Sequence, residues 1–265
     1  MGWKAQPESF PQKGGHVPTM LIDMHNHTRV SSRDSRLSPE DLIESAREKG
    51  LDGLCVTEHS LIEGAEIARE MGERMRFPVF RGVEARTNLG DMLVFGYYRD
   101  VPDGIPFQDL ARVVHEAQGA IFVAHPFRPK GFTLHSSLMK LGFDLATNWR
   151  SVEFLELLDG IEVASGRSSL EANGMAGLLA RRMGAPGIGG SDAHAPEDVG
   201  RAVTRFSRPI RSEPDLVTAL RNGSCEPLWG PPLPNGFVAS GLQGAAAQRS
   251  RMREPWSISH GSPLI

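Results

Sequence analysis

Two pairs of metal-capable side chains lie at opposite ends of the sequence. His25 and His27 end a short apolar run, and Asp192 and His194 follow a glycine-rich run. In a β-strand the side chains of residues i and i+2 point to the same face, so either pair can bind one metal ion. The two pairs therefore predict a metal site.

Three further apolar runs between these pairs are also followed by a metal-capable side chain. A single histidine after an apolar run is more often a loop or core residue than a ligand, but here the same kind of position is used repeatedly. Imidazole and carboxylate groups without thiolates suit Zn²⁺, Mn²⁺ or Fe²⁺, and the sequence does not choose among them. The additional predicted ligands are His59, Glu84 and His125.

The elements that carry these residues follow an alternating pattern of strands and helices. Ser38 and Pro39, followed by two acidic residues, predict a helix that begins near Pro39 and stops at Gly50. Repeats of this kind predict parallel strands with helices outside. In a barrel of parallel strands, residues just past the C-terminal strand ends face one another, so the predicted ligands should converge.

The length of 265 residues and the hydrophobic share of 40% predict one domain with a sizeable core. Residues 1–19 are expected to form an N-terminal leader and residues 20–225 the barrel. An insertion at about 128–150 breaks the strand and helix rhythm and is expected to lie over the active face. The Pro/Gly/Ala-rich C-terminal tail, 226–265, is expected to be extended or disordered.

The charge of the chain favours a small substrate. A formal net charge of −3, from 29 basic and 32 acidic residues, gives no global field for a long polyanion, so no stable nucleic acid complex is expected. Two cysteines imply no disulfide framework, and no signal peptide or membrane span is evident. We therefore expect a cytoplasmic protein without a membrane partner, and its oligomeric state stays open.

The ordered series of motifs resembles the polymerase and histidinol phosphatase (PHP) family over roughly residues 21–206. The first motif is Asp-Met-His-Asn-His-Thr at 23–28, and the second is Thr-Glu-His at 57–59, with glutamate in place of the usual aspartate. The resemblance implies an α/β fold, a distorted seven-stranded β/α barrel in a single domain, and a trinuclear metal centre. Further matches are Gly-Val-Glu at 82–84, Ala-His-Pro at 124–126, Gly-Ile-Glu-Val at 160–163 and Gly-Ser-Asp-Ala-His at 190–194.

The family pattern, carried over position by position, implies ligands for three divalent metal ions. The first metal would be bound by His25, His27, Glu84 and Asp192. The second would be bound by Glu84 and His125. The third would be bound by Asp34, His59 and His194.

The second metal position departs from the family pattern. Many relatives supply a further histidine from the segment before the position of His125, and the only upstream candidate here is His115, which we predict to be a surface residue of a helix. His135 in the insertion is an outside candidate. The second site is therefore expected to be weaker, or to be completed by water or substrate. Glu58 is expected to lie behind the ligands, pointing away from His59.

The resemblance implies hydrolysis of a phosphate ester of a small metabolite by a metal-bridged hydroxide. A sugar phosphate, a nucleotide or a nucleoside bisphosphate would suit such a site, and the sequence does not decide between monoester and diester. The catalytic residues would be Asp192, His194 and Glu84.

A phosphate group also calls for cationic side chains. Arg128 lies three residues beyond His125 and is the first choice for a bidentate pair with phosphate. Arg86 and Arg167 follow because each lies just beyond a predicted strand. Arg33 and Lys130 are weaker choices, because loop cations are usually just solvated.

Three other functions remain open at this point. Related metal barrels can hydrolyse C–N bonds in an amidohydrolase-type reaction, because the activated water is the same. An exonuclease acting on single strands would need aromatic platforms, and packing explains Tyr97, Tyr98 and Phe127 more simply. An inert metal-binding module would bind ions without turnover.

Overall fold

The computed structural model describes residues 19–145 and 149–229. The leader before residue 19 and the tail after residue 229 lie outside these ranges. Within the described residues the chain forms one nine-stranded sheet with six α-helices outside it. The strands are β1 Met20–Asn26, β2 Gly53–His59, β3 Val79–Thr87, β4 Gly90–Phe95, β5 Ala120–Val123, β6 Gly160–Ser165, β7 Gly187–Gly190, β8 Ala202–Phe206 and β9 Cys225–Trp229.

Four of the six described α-helices begin at a residue whose side chain caps the helix. Ser38 and Asp41 form a capping box at the start of the first helix, which has Pro39 in its first turn, and Ser169 caps the fifth helix. Two short 3₁₀ segments, Trp149–Ser151 and Glu153–Leu157, precede β6. The helices are α1 Pro39–Glu48, α2 Glu63–Met75, α3 Phe107–Glu116, α4 Leu134–Lys140, α5 Leu170–Met183 and α6 Glu213–Arg221.

The fold is α/β, and its strands form a barrel-like sheet in the order β7-β6-β5-β4-β3-β2-β1-β8-β9. Strands β1, β2 and β3 are parallel to one another, as are β5, β6 and β7. The fold class is as predicted, but the expected count of seven strands is wrong, since β4, β8 and β9 add antiparallel pairings. Only two residues, Asn88 and Leu89, separate β3 from β4, and so short a connection can form a hairpin but no crossover.

The end of β7 meets β1 and nearly closes the sheet. The backbone N–H of His27 donates to Ala193 O at 3.0 Å. The buried carboxylate of Asp23 accepts hydrogen bonds from the backbone N–H groups of Ser191 at 2.8 Å and Gly200 at 2.9 Å. Burial raises the pKa of Asp23 to about 6 despite these bonds. These bonds hold the segment of His25 and His27 beside the segment of Asp192 and His194.

The structure revises one boundary. Residues 226–229, assigned to the tail, belong to β9, which pairs with β8 and tolerates Pro227 because it is an edge strand. The segment 128–150 contains α4 and the first 3₁₀ segment in its described part. None of the helices in the described ranges is long and apolar enough to cross a membrane.

Candidate metal centre

The C-terminal ends of five parallel strands bring the predicted ligands to one end of the sheet. His25 is in β1, His27 directly follows that strand, His59 ends β2 and Glu84 lies in β3. Four groups of three side chains among the described residues have donor atoms within 4.8 Å of one another, a spacing suited to a metal ion. The buried members of the predicted set are His25, His27, Glu84, His125, Asp192 and His194, while His59 is half-buried and Asp34 is exposed.

The first metal position combines two imidazoles and two carboxylates. His25 Nε2 and His27 Nε2 are 3.0 Å apart. His27 Nε2 is 3.2 Å from Asp192 Oδ1 and 3.3 Å from Glu84 Oε2, while His25 Nε2 is 3.5 Å from Glu84 Oε1. Four ligands at about 2.1 Å from a tetrahedral ion lie about 3.4 Å apart, so these donors fit one divalent cation.

The third position is formed by Asp34 between two histidines. Asp34 Oδ1 is 3.4 Å from His59 Nε2, and Asp34 Oδ2 is 3.2 Å from His194 Nε2. His194 Nε2 is buried and makes no hydrogen bond, even with the nearby carboxylate. The lone pair of His194 Nε2 faces the Asp34 carboxylate with no proton between the two groups. A cation at this position would interact favourably with both.

The second position contains a residue that the sequence did not single out. His125 Nε2 is 2.9 Å from Glu84 Oε1, as expected for a shared site. Asp91, at the start of β4, groups with Glu84 and His125. His125 Nδ1 is buried without a hydrogen-bond partner.

The two alternative histidines do not join the centre. His115 Nε2 in α3 bonds Asp159 Oδ2 at 3.1 Å, beside the start of β6 and so at the opposite end of the parallel strands. It is half-buried rather than fully at the surface as predicted. His135 packs against the Phe127 ring with centroids 5.1 Å apart. Neither histidine belongs to a metal-capable group among the described residues.

Buried carboxylates orient the two histidines of β1. Glu162 Oε1 accepts from His25 Nδ1 at 3.0 Å, and Glu162 Oε2 accepts from the backbone N–H of His125 at 2.7 Å. Ser32 Oγ is 3.2 Å from His27 Nδ1 and donates to Glu58. Each contact holds a proton on Nδ1 and leaves Nε2 for an ion. Glu58 therefore supports the site from behind, where it was expected.

The carboxylates of the site stay ionised. Burial alone would raise the pKa of Glu84 and Asp192, but the charge of His25, with bonds from neighbouring histidines, holds both well below their usual range. Burial lowers the pKa of His27 to about 4. Burial by itself would lower the pKa of His59, but the hydrogen bond to Glu84 outweighs this effect and raises the pKa to about 9. Glu84 and Asp192 are therefore ionised, as carboxylate ligands of a metal ion must be.

Two of the three predicted phosphate-binding arginines reach the centre. The Arg128 Nη2 group donates to Asp192 Oδ2 and lies 3.4 Å from Ser165 Oγ, and its Nε is buried without a partner. Arg167 Nη1 is 2.9 Å from His194 Nδ1. Arg86 is 57% exposed, with Nε 3.5 Å from Asp91 Oδ1, so it faces mainly solvent.

Two ligands have unusual backbone conformations. His125 has φ 28° and Asp192 has φ 53°, in the left-handed region that side-chain-bearing residues rarely adopt. Such conformations cost of order 1–3 kcal/mol each and cluster at functional sites. These backbone conformations therefore lower the stability locally, and they set the directions of the two side chains.

Comparison with known proteins identifies a family and several relatives. The family model for the PHP domain matches residues 23–146, and the model described as PHP-associated matches residues 171–225. An uncharacterised protein of Methanocaldococcus jannaschii is 24% identical over 134 residues, which are 47% of this chain and 78% of that protein. The phosphoribosyl 1,2-cyclic phosphate 1,2-diphosphodiesterase of Eggerthella lenta is 35% identical over 65 residues, which are 24% of each protein.

A solved structure has the same fold. It is the crystal structure of a two-domain protein from Bacteroides vulgatus that contains a predicted PHP-like metal-dependent phosphoesterase. It matches 86% of this chain and 70% of that chain, with a TM-score of 0.58 and 20% sequence identity. The two family models fall on the segments that carry the predicted ligands, and residues 23–146 of the chain belong to the PHP domain family.

Proposed function

We propose that the chain is a metal-dependent phosphoesterase that hydrolyses a phosphate ester of a small metabolite, such as a sugar phosphate, a nucleotide or a nucleoside bisphosphate. The observation that carries this proposal is the contact between Arg128 and Asp192, which puts a guanidinium beside a cluster of metal-capable donors. Phosphoryl transfer uses both metal cations and a planar cationic side chain. The Eggerthella lenta diphosphodiesterase and the predicted metal-dependent phosphoesterase of Bacteroides vulgatus support the same reaction class.

The donor set supports the binding of two or three divalent ions, with Mn²⁺, Zn²⁺ and Fe²⁺ as candidates. Such ions, when bound, lower the pKa of water and neutralise charge on a phosphoryl group. The residues that would bind them are His25, His27, Asp34, His59, Glu84, His125, Asp192 and His194.

The chain's own side chains divide the remaining work. Arg128 binds a phosphate oxygen, and Arg167 lies on the far side of His194, where it can bind another. The low pKa of Asp192 and Glu84 makes them ionised ligands and poor proton acceptors at neutral pH. Proton transfer to the leaving-group oxygen is then left to His194 or to water.

The test is a side-by-side assay of the full chain loaded with Mn²⁺. Phosphomonoesters, cyclic phosphodiesters, nucleoside bisphosphates and lactam-like amides are offered at equal concentration. We expect phosphoester turnover that is nearly abolished in His25→Ala and Glu84→Gln, with the native circular dichroism spectrum retained. The matched control is Glu116→Gln, which changes an exposed carboxylate on α3. Turnover of amides alone would overturn the proposal.

The competing functions make different predictions. A C–N hydrolase would use the same metal positions, but it has no need for Arg128 and Arg167. An exonuclease needs exposed aromatic platforms at the site, whereas Phe127 is buried, and Tyr97 and Tyr98 follow the antiparallel β4 at the other end of the sheet. Digestion of single-stranded DNA in preference to small esters would favour that reading. A folded preparation that neither retains nor responds to divalent metal would favour an inert binding module.

The same reasoning covers the partners of the protein. A small phosphorylated molecule is the partner that we propose, without a stable nucleic acid complex, because the net charge of −3 offers no extended basic surface. Gel-shift and filter-binding assays at low salt test the second part of this statement.

A further inference from the structure

We infer that Asp91 is a ligand of the second metal position, which thereby has two carboxylates and one imidazole. This inference rests on the proposed metal centre, and it supplies a protein ligand for the position that had the fewest. It also gives that position a different metal preference from the first.

The antiparallel course of β4 brings Asp91 to the ligand end. In the register of β3 and β4, Glu84 lies opposite Leu93, and Arg86 lies opposite Asp91. Glu84 and Asp91 are therefore diagonal neighbours on one face of the sheet, within reach of side-chain contact. On the other side, the backbone N–H of Ala124 donates to Asp91 O at 3.0 Å and places His125 next along the chain.

The side chains complete the donor set. Ligand atoms of Glu84, Asp91 and His125 all lie within 4.8 Å of one another. Glu84 and His125 are each 4% exposed, and the Asp91 side chain is 15% exposed. Two buried carboxylates so close together repel each other unless a cation lies between them. His125 Nδ1, which is buried without a partner, adds an unused donor.

A surface ion pair with Arg86 does not account for the position of Asp91. The Arg86 Nε atom is 3.5 Å from Asp91 Oδ1, which is beyond a good hydrogen bond. The arginine side chain is 57% exposed while its acidic partner is largely buried. An exposed pair of that kind contributes little to stability and gives no reason to bury the acid beside Glu84.

The ligand types predict which ion is preferred. Carboxylate oxygens suit Mn²⁺, whereas imidazole-rich sets suit Zn²⁺ equally well or better. The second position has two carboxylates and one imidazole. The first position also has two carboxylates, but it has two imidazoles, those of His25 and His27. Mn²⁺ is therefore the expected occupant of the second position.

The test measures metal content rather than turnover. The full chain is stripped with chelator, titrated with Mn²⁺ and analysed by calorimetry, elemental analysis and electron paramagnetic resonance. We expect Asp91→Asn to bind about one equivalent of Mn²⁺ less per chain and to lose the spin coupling between neighbouring Mn²⁺ ions. Asp91→His should restore the lost equivalent and shift its preference towards Zn²⁺. Asp109→Asn, at an exposed position in the first turn of α3, is the matched control.

Each outcome has a clear meaning. Unchanged stoichiometry and affinity in Asp91→Asn would overturn the inference. If Asp91→Asn loses the native circular dichroism spectrum, Asp91→His decides, and an unchanged metal preference in that variant would overturn the inference. Loss of one equivalent without any phosphoester turnover in the wild-type chain would support Asp91 as a ligand and reject the proposed function. Phosphoester turnover with normal metal content in Asp91→Asn would support the proposed function and reject Asp91 as a ligand.

Discussion

Asp192 uses its two carboxylate oxygens for different partners. Oδ1 faces the β1 histidines, at 3.2 Å from His27 Nε2, and Oδ2 accepts from Arg128. The guanidinium therefore fixes the orientation of the carboxylate. The Arg128 side chain is 20% exposed, so it remains partly open to an anion. One arginine is thus placed to serve both the ligand and the substrate.

We predict that Arg128→Ala lowers kcat/KM for a phosphoester about 10- to 100-fold. The loss combines a missing phosphate contact with a less well-oriented Asp192, so the metal affinity should fall as well. Arg128→Lys should recover less than half of the loss, because a lysine ammonium cannot make the paired, bidentate hydrogen bonds of a guanidinium. The measurements are steady-state kinetics and Mn²⁺ titration.

The control for this prediction is Arg112→Ala, which changes an arginine that is 57% exposed on α3. Equal kinetics for Arg128→Ala and Arg112→Ala would remove Arg128 from the site.

The sequence could predict the ligands that follow parallel strands, because a single rule covers them all. His59 and His125, for example, each lie at or just after the C-terminal end of a strand. Asp91 breaks that rule, since β4 is antiparallel and its first residues, not its last, lie at the ligand end. Side-chain reach is equally hidden, and the sequence could not tell that Arg86 faces solvent while Arg128 turns inward.

At the level of elements, the contact between β1 and β7 decides whether the first metal position forms. Gly190 ends β7 directly against His25, and a Cβ atom there would overlap the Cβ of His25 and lie 2.8 Å from its backbone N. The close approach therefore requires glycine. It brings the β1 histidines and Asp192 within ligand distance of one another.

We predict that Gly190→Ala destabilises the chain by about 1–3 kcal/mol and weakens metal binding. Denaturant unfolding and Mn²⁺ titration measure the two effects. Gly174→Ala is the control, because no atom lies within 4 Å of a Cβ at that position of α5. Alanine in a helix should stabilise the control by about 0.5–1 kcal/mol. Loss of stability without any change in metal binding would separate the strand contact from the site.

A second element contact, between β3 and α6, should make stability depend on pH. Arg81 donates to both oxygens of Glu213, at 2.8 and 2.7 Å, and stacks on the Tyr98 ring at 4.0 Å. Burial raises the pKa of Glu213, but the bonds from Arg81 outweigh it and lower the pKa below its usual value. The carboxylate therefore stabilises the fold above its unfolded-state pKa, and that contribution is lost as the pH falls through the folded-state pKa.

We predict that Glu213→Gln lowers the free energy of unfolding by about 1–2 kcal/mol at pH 7. The difference from the wild type should shrink as the pH falls below about 4.5, where the unfolded-state carboxylate begins to protonate. Glu226→Gln alters a more exposed ion pair with Arg205 and should change stability far less at either pH. A difference for Glu213→Gln that does not vary with pH would contradict this account.

Element positions were more predictable than their directions. Capping residues such as Ser38 locate helix starts, and apolar runs locate strands, because both signals are local. Strand direction depends on the connection and on which neighbour offers a free edge, which local periodicity does not encode. The sequence therefore predicted the barrel class, but not the antiparallel β4 and β8 or the edge strand β9.

At the scale of the whole molecule, the ligands span most of the described chain. The predicted set extends from His25 in β1 to His194 after β7, so bound ions would link the first strand to the segment that follows the seventh. Because unfolded chains do not hold these side chains together, metal binding adds to the free energy of unfolding.

We predict that the Mn²⁺-loaded chain melts at a higher temperature than the chelated chain. At a metal concentration about 100 times the dissociation constant, one site contributes about 2.7 kcal/mol. Differential scanning calorimetry over a series of Mn²⁺ concentrations measures the shift. Glu84→Gln should show a much smaller shift, since Glu84 belongs to two of the metal-capable groups. A melting temperature independent of metal in the wild type would contradict the prediction.

The contact of Arg128 with Asp192 also has a thermodynamic consequence. A phosphate bound to that guanidinium would lie beside the metal position, where its negative charge attracts the ion. By reciprocity, whatever factor the phosphate adds to the affinity for the ion, the ion adds to the affinity for the phosphate. The chain should then retain its ions most tightly while substrate or product is bound, and product release becomes the step at which metal exchange is easiest.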